Sequence, residues 1–264
     1  MYIEGLFFIG ISMQWYRLVV AYDGTDFVGW QQQPEGPSIE GTLKSTFLQI
    51  FNQKHIYLVG ASRTDAGVHA QGQVVRIGTD LPLLPEKLMR VMNNALPASI
   101  SITSCSLVQR DFHPQHQVVY KVYAYRVCTQ RPSPEMHRYS YYYWHPLDMH
   151  KLNEVLQVFV GTHDFKAFAK HHSDRDTMRT IHSIEIVSNE NGIGFTIVIT
   201  GISFLQYMVR RMVGAAFAIA SDKNRSSNEI GMLLKDSSAS IKNLPKAPAK
   251  GLCLRKIVYQ EESL

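Results

Sequence analysis

Cysteine is scarce in this chain. Three stand among 264 residues, Cys105, Cys128 and Cys253, far apart and odd in number. That excludes a disulfide framework and leaves no zinc-type pair of thiols. Glycine (17) and proline (11) are too few for a collagen-like or low-complexity chain. With 45% apolar residues the sequence does not read as disordered. Long apolar runs are missing as well. Gly5-Leu6-Phe7-Phe8-Ile9-Gly10-Ile11 falls far below the ~20 residues a membrane span needs. It has no basic flank before it and no clear cleavage site after it, so it is not read as a signal peptide. Residues 1–15 read as an N-terminal extension, with Met13 as an alternative start. No Gly-x-x-x-x-Gly-Lys-Ser/Thr and no Gly-x-Gly-x-x-Gly occurs, so a nucleotide cofactor gains no support. The expectation is a cytoplasmic protein with reduced thiols and no membrane segment.

Charge is modest but uneven. The net charge is +5. Residues 1–109 hold 7 Lys/Arg against 8 Asp/Glu, while residues 110–264 hold 20 against 14. All the positive excess therefore lies in the second part, a hint of a polyanionic partner.

Element order supplies a fold. Tyr16–Tyr22 reads as a strand that ends at the turn Asp23-Gly24. Ser38 caps a helix from Ile39 to Phe51. His55–Gly60 and Gln71–Ile77 are strands, Pro85 opens a helix, and Ile100–Val108 is a strand. The second part repeats this order. It begins with a strand at Val118–Val127 and a helix after Asp148. Thr180–Val187 and Ile193–Ile199 form a hairpin across Asn191-Gly192. A helix over Phe204–Ser221 and a strand at Gly251–Tyr259 follow. Tyr139–Trp144 and the polar stretch Ser226–Lys250 read as insertions. The expected class is α+β: two ferredoxin-like βαββαβ units side by side with a positively charged cleft between them. The expected domains are residues 16–109 and 110–264.

Three clusters could carry chemistry. The stretch from Gly60 to Ala70 gathers Arg63, Thr64, Asp65 and His69 among small residues in one connection. Asp65 would be an exposed, ionised carboxylate beside a guanidinium, able to act as nucleophile or base. The structural alternative is a turn in which Asp65 bonds its own loop. Asp65-Ala66-Gly67 is superficially similar to the aspartic-protease signature. However, the chain has no matching second carboxylate, and the preceding residues are polar. On the strand after Val118, alternation puts Lys121, Tyr123 and Tyr125 on one face. That face is either a stacking platform for unpaired bases or a packing surface under a helix. On the helix after Phe204, Arg210 and Arg211 lie opposite an apolar stripe. They are either partners of a carboxylate or phosphate, or solvated. His113-x-x-His116 and the doublet His171-His172 lack the further ligands a metal needs, so no metal is expected.

Taken in order, these motifs resemble the tRNA pseudouridine synthase A family over nearly the whole chain from Tyr16. Arg63-Thr64-Asp65-Ala66-Gly67-Val68-His69-Ala70 resembles the family's catalytic motif. Tyr22-Asp23-Gly24-Thr25-Asp26-Phe27 resembles its opening strand and turn. Asp111-Phe112-His113-Pro114 and Tyr120–Tyr125 resemble its central segment, and His163-Asp164-Phe165 with Arg179-Thr180-Ile181 a further pair. Phe204–Gly214 and Ala247–Leu252 resemble its last helix and its end. Gln115 departs from the pattern, standing where the family usually has Arg.

The resemblance implies an isomerase, a tRNA pseudouridine(38-40) synthase. It converts uridine to pseudouridine at positions 38, 39 and 40 of the anticodon stem-loop, as a homodimer and without a cofactor. It implies Asp65 as nucleophile, Arg210 as its partner, and Tyr123 stacked on the target base. Arg63 is expected to fill the space of the extruded base or to contact its phosphate. Thr64, His69, Arg211 and Leu252 are expected to complete the tRNA-binding surface. The alternative is a non-catalytic RNA-binding module of the same fold.

Overall fold

The first strand shows why the chain folds where it does. In β1 (Gln14–Tyr22) every second residue, Tyr16, Leu18, Val20 and Tyr22, is buried. The same core takes Ile39, Leu43 and Phe47 from α1 (Ile39–Ile50) and Leu88 and Met92 from α2 (Pro85–Ala95). Ser38 caps α1 as expected, its Oγ accepting the Gly41 N–H at 3.1 Å. With β2 (Tyr57–Gly60), β3 (His69–Thr79) and β4 (Ile100–Leu107), the strands run β4-β1-β3-β2 across the sheet.

The computed structural model describes residues 13–170, 176–189, 192–235 and 245–260. Its second half follows the same plan. The elements are β5 (Val118–Cys128), α3 (Pro134–His137), β6 (Tyr141–Tyr142), α4 (Met149–Gln157) and β7 (Gly161–Asp164). Then come β8 (Met178–Ser188), β9 (Phe195–Gly201), α5 (Met208–Ala220), α6 (Asn228–Lys235) and β10 (Leu252–Tyr259). The order β10-β5-β9-β8 repeats that of the first half, with β7 added outside β8. This is the expected α+β class, but the two sheets are fused into one of ten strands. The seam is a short parallel pairing of β3 with β10, Cys253 opposite His69 and Leu254 opposite Ala70.

Four expectations change. The helix at Phe204 begins instead at Met208, because Tyr207 takes a left-handed backbone with φ +67°. The stretch after Ser226, read as a polar insertion, contains α6, which buries Ile230, Leu233 and Leu234 on one face. The short elements α3 and β7 were not expected. Of the hairpin turn Asn191-Gly192, Asn191 lies outside the described residues, as do His171, His172 and residues 1–12; β8 and β9 do pair antiparallel. Among the described residues no helix is long and apolar enough to cross a membrane.

Candidate active site at the seam of the sheet

Residues 61–68 connect β2 to β3 and end at the seam. Backbone bonds tie this loop to the turn after β1. Trp30 N–H donates to Thr64 O at 3.0 Å, and Gly67 N–H donates to Phe27 O at 3.3 Å. Asp65 forms an isolated bridge with Gly29. Gly29 has φ +116°, and a Cβ there would stand 2.8 Å from Thr64 O, so only glycine suits this close approach. Thr64 is buried, its Oγ1 sharing a hydrogen bond with the Tyr22 hydroxyl at 2.8 Å. Thr64 thus fixes the loop, although it also lines the cleft.

Asp65 is not the exposed carboxylate expected from the sequence. Its side chain is 10% exposed, and so is that of Arg210, whose Nη1 stands 3.3 Å from Asp65 Oδ2. Burial raises the Asp65 pKa, and the Arg210 charge and hydrogen bond oppose that rise. Arg210 is itself held, its Nε donating to Ala247 O at 2.8 Å. Ala247 N–H returns a bond to Arg210 O at 2.9 Å. The solvated reading of Arg210 is therefore overturned: α5 is buried on nearly all sides, and its arginine turns inward.

Tyr123 reaches the same cleft from β5. Its ring meets Phe204 edge-on at 4.9 Å, and its hydroxyl lies 2.9 Å from Ser62 Oγ. Burial pushes its pKa up to about 12, so the phenol stays neutral. Lys121, two residues earlier on the same face, donates from Nζ to Ala61 O at 2.8 Å. Burial pushes that ammonium down to about 8. Tyr125, expected beside them, is covered instead, its hydroxyl donating to Pro248 O at 2.8 Å.

The cleft has a volume of about 1110 Å³. Arg63, Lys121, Lys166, Lys170, Arg179 and Arg210 line it, against Glu35 and Asp65. Leu252 lines it from the first position of β10. Arg63 is exposed there and makes no hydrogen bond or ion pair among the described residues. Gln115 donates from Nε2 to Gly60 O at 2.7 Å, so it braces the wall from which the 61–68 loop departs.

Two expected residues stand elsewhere. His69 is buried outside the cleft. Its Nδ1 accepts the Gly24 N–H at 3.1 Å, and its Nε2 faces Arg138 O at 3.1 Å. Burial lowers its pKa despite Asp23 at 3.2 Å, so it acts as a brace of the first turn. Arg211 donates from Nη1 to Ala169 O and does not line the cleft. Residues that sequence reasoning passed over are Ser62, Phe204 and Lys246; only their nearness in space to Tyr123 and Tyr207 marks them. Among the described residues no group of three or more His, Cys, Asp or Glu is placed to hold a metal ion. The His113 and His116 rings stack on each other at 3.9 Å.

A largely buried carboxylate paired to a guanidinium, beside a neutral phenol in a basic cleft, is an arrangement suited to carboxylate chemistry on an anionic ligand. The family model described as "tRNA pseudouridine synthase" matches residues 18–117 and 155–260. The tRNA pseudouridine synthase A of Thermodesulfovibrio yellowstonii is 35% identical over 255 residues, covering 92% of this chain and 98% of that one. The protein of the same name from Syntrophotalea carbinolica is 35% identical, covering 92% and 95%. That from Latilactobacillus sakei is 33% identical, covering 94% and 99%. The chain belongs to the tRNA pseudouridine synthase family, isomerases that act on uridine in tRNA.

Proposed function

We propose that this protein isomerises uridine to pseudouridine at positions 38, 39 and 40 of the tRNA anticodon stem-loop, with Asp65 as nucleophile. The observation that carries the reading is the Asp65–Arg210 pair, 3.3 Å apart and largely buried beside Tyr123. The reaction breaks the N1–C1′ bond, turns the uracil, and joins C5 to C1′. The proton on C5 is released and one returns to N1, so no redox partner is consumed. As nucleophile, the Asp65 carboxylate bonds C1′ as the N1–C1′ bond breaks and the uracil leaves as its anion; C5 of the turned uracil then displaces the carboxylate from C1′, so Asp65 ends unchanged. Arg210 keeps the carboxylate ionised and aimed against the opposing effect of burial. Tyr123 stacks on the base, and its neutral hydroxyl, linked to Ser62, is placed to relay the C5 proton. Extrusion of the base costs a few kcal/mol. Cationic contacts to phosphate offset that cost, and Arg63, exposed at the cleft, is available for one of them.

The same reading carries a cytoplasmic homodimer that needs no cofactor, with residues 16–109 and 110–264 as its two domains. The test is tritium release from unmodified tRNA labelled at uridine C5, using tRNAs that keep a uridine at only one of positions 38, 39 and 40. Release is expected from each. Tight binding with no release from any would favour the non-catalytic RNA-binding module.

A further inference from the structure

The rim of the cleft where α5 begins carries more positive charge than the Asp65–Arg210 pair explains. Tyr207, the residue before the helix, has φ +67°, a left-handed conformation that a tyrosine adopts only when its surroundings hold it. Its ring lines the cleft. Lys246 Nζ stands 4.0 Å from the centre of that ring, and the Arg210 guanidinium carbon stands 5.8 Å from it.

The backbone around Lys246 is fixed. Ala247 exchanges two hydrogen bonds with Arg210, at 2.8 and 2.9 Å. Pro245 packs on Gly214 so closely that a Cβ there would lie 1.9 Å from its carbonyl oxygen. Lys246 is nevertheless exposed. It is a solvent-facing cation on a rigid mount, steered by an aromatic ring.

Its electrostatic neighbours are Arg210, Asp65, Arg211 and Lys170. That set holds one carboxylate, and Arg210 already pairs with it. Arg211 is turned to the Ala169 carbonyl. Among the described residues no carboxylate lies within ion-pair distance of Lys246 or Lys170. Lys170 lines the cleft and is exposed. Lys170 in the cleft lining and Lys246 over the Tyr207 ring beside it, neither with a carboxylate partner among the described residues, match a phosphodiester, which a point charge binds well.

We propose that Lys246, assisted by Lys170, grips a phosphodiester of the target strand at the α5 rim and so positions the nucleotide over Asp65. This rests on the RNA-isomerase reading above. Lys246 is a positioning residue, since it acts on the phosphate and not on the reacting atoms.

The test separates the two. Binding of unmodified tRNA to the Asp65→Ala protein is measured between about 50 and 300 mM KCl. Lys246→Gln in that background is expected to flatten the slope of log K against log [salt] by about one, the loss of a single phosphate contact. Lys246→Arg is expected to restore it, and Lys170→Gln to flatten it as well. In the protein with Asp65 intact, Lys246→Gln is expected to raise KM about 3- to 10-fold with kcat within about 2-fold. An unchanged slope, or a fall in kcat at constant KM, would overturn the proposal. If the intact protein binds tRNA with the expected slopes yet releases no tritium, the isomerase reading fails while the phosphate contact stands. If it releases tritium and the slopes do not change, the phosphate contact alone fails.

Discussion

Arg210 Nη1 lies 3.3 Å from Asp65 Oδ2, and the two side chains come from opposite halves of the chain, 145 residues apart. Neither charge is comfortable alone. Burial raises the Asp65 pKa, and the guanidinium is what opposes the rise. The pair therefore ties folding of the seam to the ionisation state of the carboxylate.

Removing the guanidinium has a direction that can be worked out. Asp65 already sits above the ordinary carboxylate value of 3.8, so the acid limb of kcat/KM should lie higher than for an exposed aspartate. In Arg210→Gln the opposing charge is gone, so the limb should move to still higher pH. Stability should fall by about 3–5 kcal/mol at neutral pH, because a buried charge is left unpaired. Arg210→Lys should fall between, since it cannot keep the bonds from both Nε and Nη1. A pH–rate profile and urea unfolding of the three proteins check this.

Tyr123 should act in turnover more than in binding. Its phenol is neutral and hydrogen-bonded to Ser62 at 2.9 Å. Tyr123→Phe keeps the ring and its edge contact with Phe204 but loses the hydroxyl. Single-turnover rates should drop by about 10-fold or more, with tRNA affinity within about 2-fold. Equal losses in both would mean that the residue only stacks.

Gly214 should tolerate no side chain. A methyl group there meets the Pro245 carbonyl at 1.9 Å and would push the 245–247 segment off α5. Gly214→Ala should cost about 1–3 kcal/mol, lower Tm by several degrees, and impair activity by loosening Arg210. Gly231→Ala is the control. Among the described residues nothing lies within 4 Å of a Cβ at Gly231 in α6, so stability should hold or rise slightly.

Lys121 gives a pH dependence of opposite sign to most buried carboxylates. Its folded-state pKa is about 8, against an ordinary 10.5. Between those values the unfolded chain binds more protons, so this group makes stability rise with pH. Relative to Lys121→Met, the wild type should gain roughly 1 kcal/mol per pH unit across that window. Paired denaturant titrations at pH 8 and 9.5 measure it.

What the sequence disclosed depended on how local the cause was. Ser38 and Pro85 announce helices through their own backbone chemistry, and both helices begin there. The period-two burial of Tyr16, Leu18, Val20 and Tyr22 is written in the residues themselves. The motif order led to Asp65, Tyr123 and Arg210. Their burial was not legible, because it comes from the seam, where two residue pairs between β3 and β10 bring loop, strand and helix together. His69 looked like a site residue because it shares the loop's sequence, yet its side chain turns to Gly24 and Arg138. Ile230, Leu233 and Leu234 were hidden in a Ser- and Lys-rich stretch, where composition outweighed a short helical period. Lys246 carries no local signal; only the Tyr207 ring beneath it and the neighbouring cations mark it out.

The central claim is that Asp65 does the chemistry. Its most direct test is tritium release from C5-labelled tRNA by the wild type and by Asp65→Ala, with binding measured alongside. Full release is expected from the wild type, and from Asp65→Ala retained binding with no release above background. Release by Asp65→Ala at a rate near that of the wild type would contradict it.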